Sequence, residues 1–73
     1  MYRVYFDTNE GVAEGYGLWL NASMKDLSRI PDGPQEGMRV IIYMTGELEM
    51  QATLRLKVGS IDAEADARMP RGR

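Results

Sequence analysis

Leu48-Glu49-Met50-Gln51-Ala52-Thr53-Leu54-Arg55-Leu56-Lys57-Val58 alternates apolar and polar side chains without interruption. A period of two is the mark of a strand with one face buried, so the even positions from Leu48 to Val58 point inward. Upstream, Met38, Val40, Ile42 and Met44 form a second even-numbered apolar row, with Thr45-Gly46-Glu47 between the two. Directly opposed residues share a face, so two even rows require partner numbers with an even sum. A three-residue loop satisfies this and pairs Met44 with Leu48, Ile42 with Met50 and Val40 with Ala52. Gly46 then lies in the middle of the loop, whereas the common bulged hairpin places its glycine last.

Downstream, Ile61, Ala63, Ala65, Ala67 and Met69 put the apolar row on odd numbers, which calls for a loop with an even residue count. Gly59-Ser60, glycine first, suits a type II′ turn and pairs Val58 with Ile61 and Leu56 with Ala63. That register sets Lys57 opposite Asp62 and Arg55 opposite Glu64, opposite-charge neighbours on the outer face. A helix is the competing assignment for 61–69, because Ala and Glu favour it and Ile61, Ala65 and Met69 also recur at helical spacing. The strand assignment is preferred for its turn. Its small alanines imply that another element approaches closely there.

With 73 residues the chain is one domain, spanning 1–69 and followed by a basic tail at 70–73 expected to be disordered. It has neither Cys nor His, which removes disulfides and the ordinary zinc sites and favours a reducing compartment. Oligomerisation is then the remaining common means for so small a chain to bury more surface. The 11 acidic and 9 basic residues give a net charge of −2, unlike the strongly basic footprint of a general nucleic-acid binder. No apolar run approaches ~18 residues and Met1-Tyr2-Arg3 does not begin a signal peptide, so a cytoplasmic protein without cofactor or metal is expected.

Tyr2, Val4 and Phe6 alternate with Arg3, Tyr5 and Asp7, an opening strand that ends in polar Asp7-Thr8-Asn9-Glu10-Gly11. The loop from there to Gly15 is acidic, but its glycine is misplaced for a calcium-binding loop and Leu18 stands where the closing Glu belongs. Tyr16, Leu18 and Leu20 define a second strand, with Gly17, Trp19 and Asn21 on its other face. Ser23 and Asp26 resemble a helix-start box, and Met24, Leu27 and Ile30 follow at spacing three. Pro31 ends that helical turn, and 32–37 is turn chemistry.

Five short strands, a long first loop and one helical turn predict an all-β fold. Leu48 to Val58 would extend roughly 37 Å if straight, too long for a flat sheet in so small a domain. A five-stranded barrel with that strand bent between two sheets is therefore expected. In this arrangement the chain resembles an SH3-like barrel, with Asp7 to Gly15 as its long first loop and Thr45 to Glu47 as its distal turn. The runs Gly17 to Asn21, Asp26-Leu27, Glu36 to Met44 and Glu47 to Leu54 are also similar to small bacterial proteins of no assigned activity. That resemblance implies a fold and transfers no site residue.

For catalysis, a nucleophile would have to be Ser23, Ser28 or Ser60 activated by Lys25 or Lys57, and each serine has a plainer role at a helix start, in a short helix or in a turn. Glu47 and Glu49, or Asp62, Glu64 and Asp66, share strand faces with basic neighbours and fit a solvated sheet surface better than an acid-base pair. The expectation is therefore a non-enzymatic interaction module. Tyr5, Trp19, Ile41 and Tyr43 are apolar residues on outer rows, a set suited to binding a protein partner or another copy of the chain. The alternative is a nucleic-acid or ribosome-associated module: Gly37-Met38-Arg39-Val40-Ile41-Ile42 followed by Gly46 loosely resembles the start of the KOW ribosomal motif. Arg39, Arg55, Lys57, Arg71 and Arg73 would then contact phosphates, with Tyr43 or Trp19 stacking on bases.

Overall fold

The described residues form a mixed sheet with a short α-helix at its edge and a 3-10 turn at Thr8–Glu10. The computed structural model describes residues 1–12 and 15–66. Its strands are β1 (Tyr2–Tyr5), β2 (Gly11–Val12), β3 (Gly15–Gly17), β4 (Arg39–Met44), β5 (Leu48–Lys57) and β6 (Ser60–Ala65), with helix α1 (Asn21–Leu27) between β3 and β4. The sheet order is β1-β4-β5-β6-β3-β2. The all-β expectation holds, and the five-stranded barrel is corrected: the sheet has six strands and remains open, with β1 and β2 at its edges. The sixth strand is the two-residue β2, which pairs antiparallel with β3 inside the expected long loop. Two residues are too few for an alternation to register.

The β4–β5 hairpin has the register that parity requires, with Met44 opposite Leu48, Ile42 opposite Met50 and Val40 opposite Ala52. Glu47 N–H donates to the Met44 carbonyl at 2.9 Å, so Met44 to Glu47 is a β-turn within the three-residue loop. Gly46, at its third position, has φ +74°. That conformation suits the third position of a type II turn and accounts for a glycine in mid-loop.

The β5–β6 hairpin keeps the predicted faces in a different register. Leu56 faces Ile61, Leu54 faces Ala63 and Lys57 faces Ser60, so the turn is Val58-Gly59 and β6 is displaced by two residues from the expected pairing. Gly59 again takes the third turn position with φ +82°, and Val58 is fully exposed rather than paired with Ile61. A displacement of two preserves which side chains face inward, which is why the apolar pattern did not distinguish the registers. The expected ion pairs survive as diagonal contacts, Lys57 Nζ to Asp62 Oδ2 at 3.2 Å and Arg55 Nε to Glu64 Oε1 at 2.7 Å. The strand assignment for 61–69 holds from Ile61 to Ala65, where β6 ends before Asp66; residues 67–69 and the tail at 70–73 lie outside the described residues.

The close neighbour implied by the small β6 residues is β3, which pairs Tyr16 with Ala63 and Gly17 with Asp62. Gly15 lies so near the Ala63 carbonyl that a Cβ there would overlap backbone. The expected strand at 16–20 is shorter than its alternation suggested, because β3 ends at Gly17 and Leu20 already precedes the helix in extended conformation.

Buried Val4, Phe6, Leu18, Val40, Ile42, Ala52, Leu54 and Ala63 line the concave face, and Leu27 and Ile30 reach it from α1 and the residues after it. The expected helix-start box is not formed. The helix begins at Asn21 without a side-chain cap, and Ser23 and Asp26 act elsewhere. In a parallel pair, alternate residues direct both backbone groups to one side. Phe6 N–H points to the Tyr43 carbonyl at 3.0 Å, leaving Tyr5 facing the outer edge of β1. There Tyr5 N–H donates to Asp26 Oδ2 at 3.0 Å, and the buried Ser23 hydroxyl donates to the Tyr5 carbonyl. Two side chains of α1 thus occupy the hydrogen-bonding positions a neighbouring strand would take, which shields this edge from pairing with another chain.

Candidate interaction face

Odd-numbered residues of β1, β4 and β5 share the convex face. Arg3 is opposite Ile41, Tyr5 opposite Tyr43, and Tyr43 in turn opposite Glu49. The rings of Tyr5 and Tyr43 meet edge-on with centroids 5.8 Å apart and planes at 80°. The Arg3 guanidinium lies 4.8 Å from the centre of the Tyr43 ring and also forms an ion pair with Glu49. Both geometries are favourable for aromatic rings, whose faces are electron-rich and whose edges are electron-poor. The Tyr43 hydroxyl donates to Asp26 Oδ2 at 2.7 Å. That hydrogen bond, then burial, then the Asp26 charge push the phenol above its ordinary pKa. Tyr5, Ile41 and Tyr43 are each half-buried. An open depression of about 450 Å³ runs from Arg3 and Tyr43 to the Thr45-Gly46 turn and Leu48.

Three of the four expected aromatic-patch residues therefore come together. Trp19 does not join them: β5 and β6 separate β4 from β3, beside which it sits. Its ring covers Gly17, where any Cβ would overlap the indole, and its Nε1–H donates to Glu10 Oε1 at 2.6 Å. Trp19 is nonetheless 47% exposed. The pairing is legible in the chain, since Gly17 and Trp19 are neighbours in one alternating row and a glycine leaves a floor for a large ring.

Between these aromatic ends the convex face is a lattice of paired charges. Arg39 contacts both oxygens of Asp66, at 2.8 and 3.0 Å, and also Thr53 and Gln51. Arg55 binds Glu64 and, at 3.0 Å, Glu36. Lys57 binds Asp62. The described part of the expected phosphate-contacting set, Arg39, Arg55 and Lys57, is thus matched by carboxylates of the same face; Arg71 and Arg73 lie outside the described residues.

Glu36 has a role that the turn chemistry of its segment did not suggest. Its Oε1 accepts the Leu56 N–H at 2.7 Å, past the point where Arg39, the first β4 residue, pairs with Thr53, and thereby extends the ladder with a side chain. The Leu56 N–H first, and Arg55 next, hold its carboxyl below the ordinary value.

The serines are engaged structurally: Ser23 binds Tyr5, the Ser28 hydroxyl donates to the Lys25 carbonyl at 2.6 Å, and Ser60 opens β6. Among the described residues no group of His, Cys, Asp and Glu is arranged to hold a metal, and no helix is long and apolar enough to cross a membrane. Comparison with family models, curated proteins and solved structures returns no match.

Proposed function

We propose that the chain is a non-enzymatic interaction module that binds a protein partner, a second copy of itself included, through the convex face of β1 and β4. The supporting observation is the half-buried Tyr5–Tyr43 ring pair, with Ile41 and Arg3 beside it and Asp26 of α1 bonded at its edge. The contacts of α1 are concentrated on β1, at the edge of the sheet. Aromatic side chains and Arg are the types enriched where protein interfaces concentrate their energy, and half-buried rings held by their neighbours lose little freedom on binding. Binding to nucleic acid is the weaker reading, because a phosphate would have to displace Asp66, Glu64 or Asp62 from the cations it needs.

Ile41→Asp places a charge at the centre of this face without touching the Tyr43–Asp26 bond. Sedimentation of the full chain over a range of concentrations, and binding to proteins captured from its host, should both weaken in this variant. A wild-type monomer whose captured partners bind Ile41→Asp equally well contradicts the proposal. Mixed RNA and DNA binding that falls steeply with salt and is lost in Arg55→Ala would establish the nucleic-acid reading instead.

A further inference from the structure

One oxygen of Asp26 serves two parts of the fold at once. Oδ2 accepts the Tyr5 N–H at 3.0 Å, on the outer edge of β1, and the Tyr43 hydroxyl at 2.7 Å, on the convex face. Oδ1 meets Arg29 at 3.2 Å, and the Asp26 side chain is only 11% exposed. Hydrogen bonds to a carboxylate are roughly twice as strong as neutral ones, and little water reaches these to compete. The contacts close into a circuit through Tyr5. Its N–H is held by Asp26 and its carbonyl by Ser23, while its ring meets that of Tyr43 edge-on at 5.8 Å. Ser23 and Asp26 stand three apart on α1, so both fall on the helix face that meets one strand edge. Leu27 anchors the end of α1 in the core, and the other contacts of the helix are chiefly with β1.

We propose that Asp26 is the positioning residue of the convex aromatic pair and couples it to the β1 edge: α1 is seated on that edge when the Tyr43 ring is set, and lifting the helix releases both together. This coupling rests on the convex face being an interface, and it supplies that interface with a regulating element. A partner that holds Tyr43 in its observed position also holds Asp26, and with it the cover over Tyr5. Conversely, a helix lifted from β1 frees the far end of the Tyr43 ring and bares the Tyr5 backbone to another strand. Such coupling is reciprocal, so each event favours the other by the same factor.

Native-state hydrogen exchange of the full chain, read by NMR one amide at a time, tests the coupling. Tyr43→Phe keeps the ring and deletes only the hydroxyl that bonds Asp26. Exchange at the Tyr5 N–H should rise roughly fivefold in this variant, the size of an ordinary coupling between residues of one network. It should rise by more than exchange at the Leu54 N–H, which bonds the Met38 carbonyl and reports the central hairpin. Asp26→Ala should speed Tyr5 exchange further and shift the Tyr43 ring resonances; Asp26→Asn, which keeps an acceptor, should do both to a smaller extent and covers the case in which the alanine variant fails to fold. An unchanged Tyr5 rate in Tyr43→Phe, or an equal rise at Tyr5 and Leu54, overturns the coupling. Sedimentation of Ile41→Asp separates this result from the interface itself. Association that Ile41→Asp leaves intact removes the interface, whereas association weakened by Ile41→Asp together with an unchanged Tyr5 rate in Tyr43→Phe removes the coupling alone.

Discussion

The two hairpins that share β5 use the same turn chemistry, and only one has the register that the apolar pattern and the turn together suggested. In each, an x-Gly pair supplies the middle of a four-residue turn, Thr45-Gly46 in one and Val58-Gly59 in the other, and the glycine takes the third position with positive φ. In the first hairpin the parity of the apolar rows and a three-residue loop left little choice. In the second, Gly59-Ser60 and Val58-Gly59 both give even loops and put the same faces inward. Face parity fixes a register only modulo two, and the turn must decide the remainder.

Leu54 lies where both hairpins depend on one residue, facing Ala63 and exchanging backbone bonds with Gly37 and Met38, and it is fully buried. Leu54→Ala should destabilise the chain most, by about 2–5 kcal/mol in urea unfolding. A loss under 1 kcal/mol would mean that the two hairpins do not share this core.

Gly46→Ala and Gly59→Ala sharpen the parallel between the turns. If both glycines hold left-handed backbone, each substitution should cost about 1–2 kcal/mol, and the two costs should be similar. A cost at one position only would break the equivalence.

Val58→Pro separates the two candidate registers by sign. At the second position of the observed turn a proline is favourable and should be neutral or stabilising, by up to about 1 kcal/mol. In the glycine-first register Val58 would flank the turn and contribute its N–H to the ladder, so proline would destabilise.

The smallest effect concerns Glu36, which bonds β5 at Leu56, ahead of the start of β4. Its carboxyl titrates below the ordinary value of 4.5 in the folded chain. The stability it contributes is therefore fully present above the unfolded-state value and is lost as pH falls through the folded one. The stability difference between wild type and Glu36→Ala should be constant near neutrality and disappear in acid; a difference unchanged in acid would contradict the carboxylate's role.

Much of the inward pattern was legible before the structure. Val4, Phe6, Leu18, Val40, Ile42, Ala52, Leu54 and Ala63 were all assigned to apolar rows, and all are buried. The close approach of another element to β6 was also readable, in its alanines, and that element is β3. What escaped was long-range or too short to have a period: the parallel pairing of β1 with β4, the two-residue β2, and the open edge occupied by Ser23 and Asp26. In the candidate site, Tyr5, Ile41 and Tyr43 could be found as apolar side chains on outer rows. Assigning Trp19 to the same cluster required the strand order, which periodicity does not contain. Asp26 and Glu36 accept backbone N–H groups from distant strands, and no local pattern marks an acidic side chain that replaces a neighbouring strand.

Scalar couplings across hydrogen bonds in the isotopically labelled full chain test the open sheet and its register most directly. The structure predicts couplings from Phe6 N to the Tyr43 carbonyl carbon, from Leu54 N to that of Met38, and from Leu18 N to that of Ile61. A coupling from Ile61 N to the Val58 carbonyl carbon, or one joining residues 2–5 to residues 11–12, would contradict it.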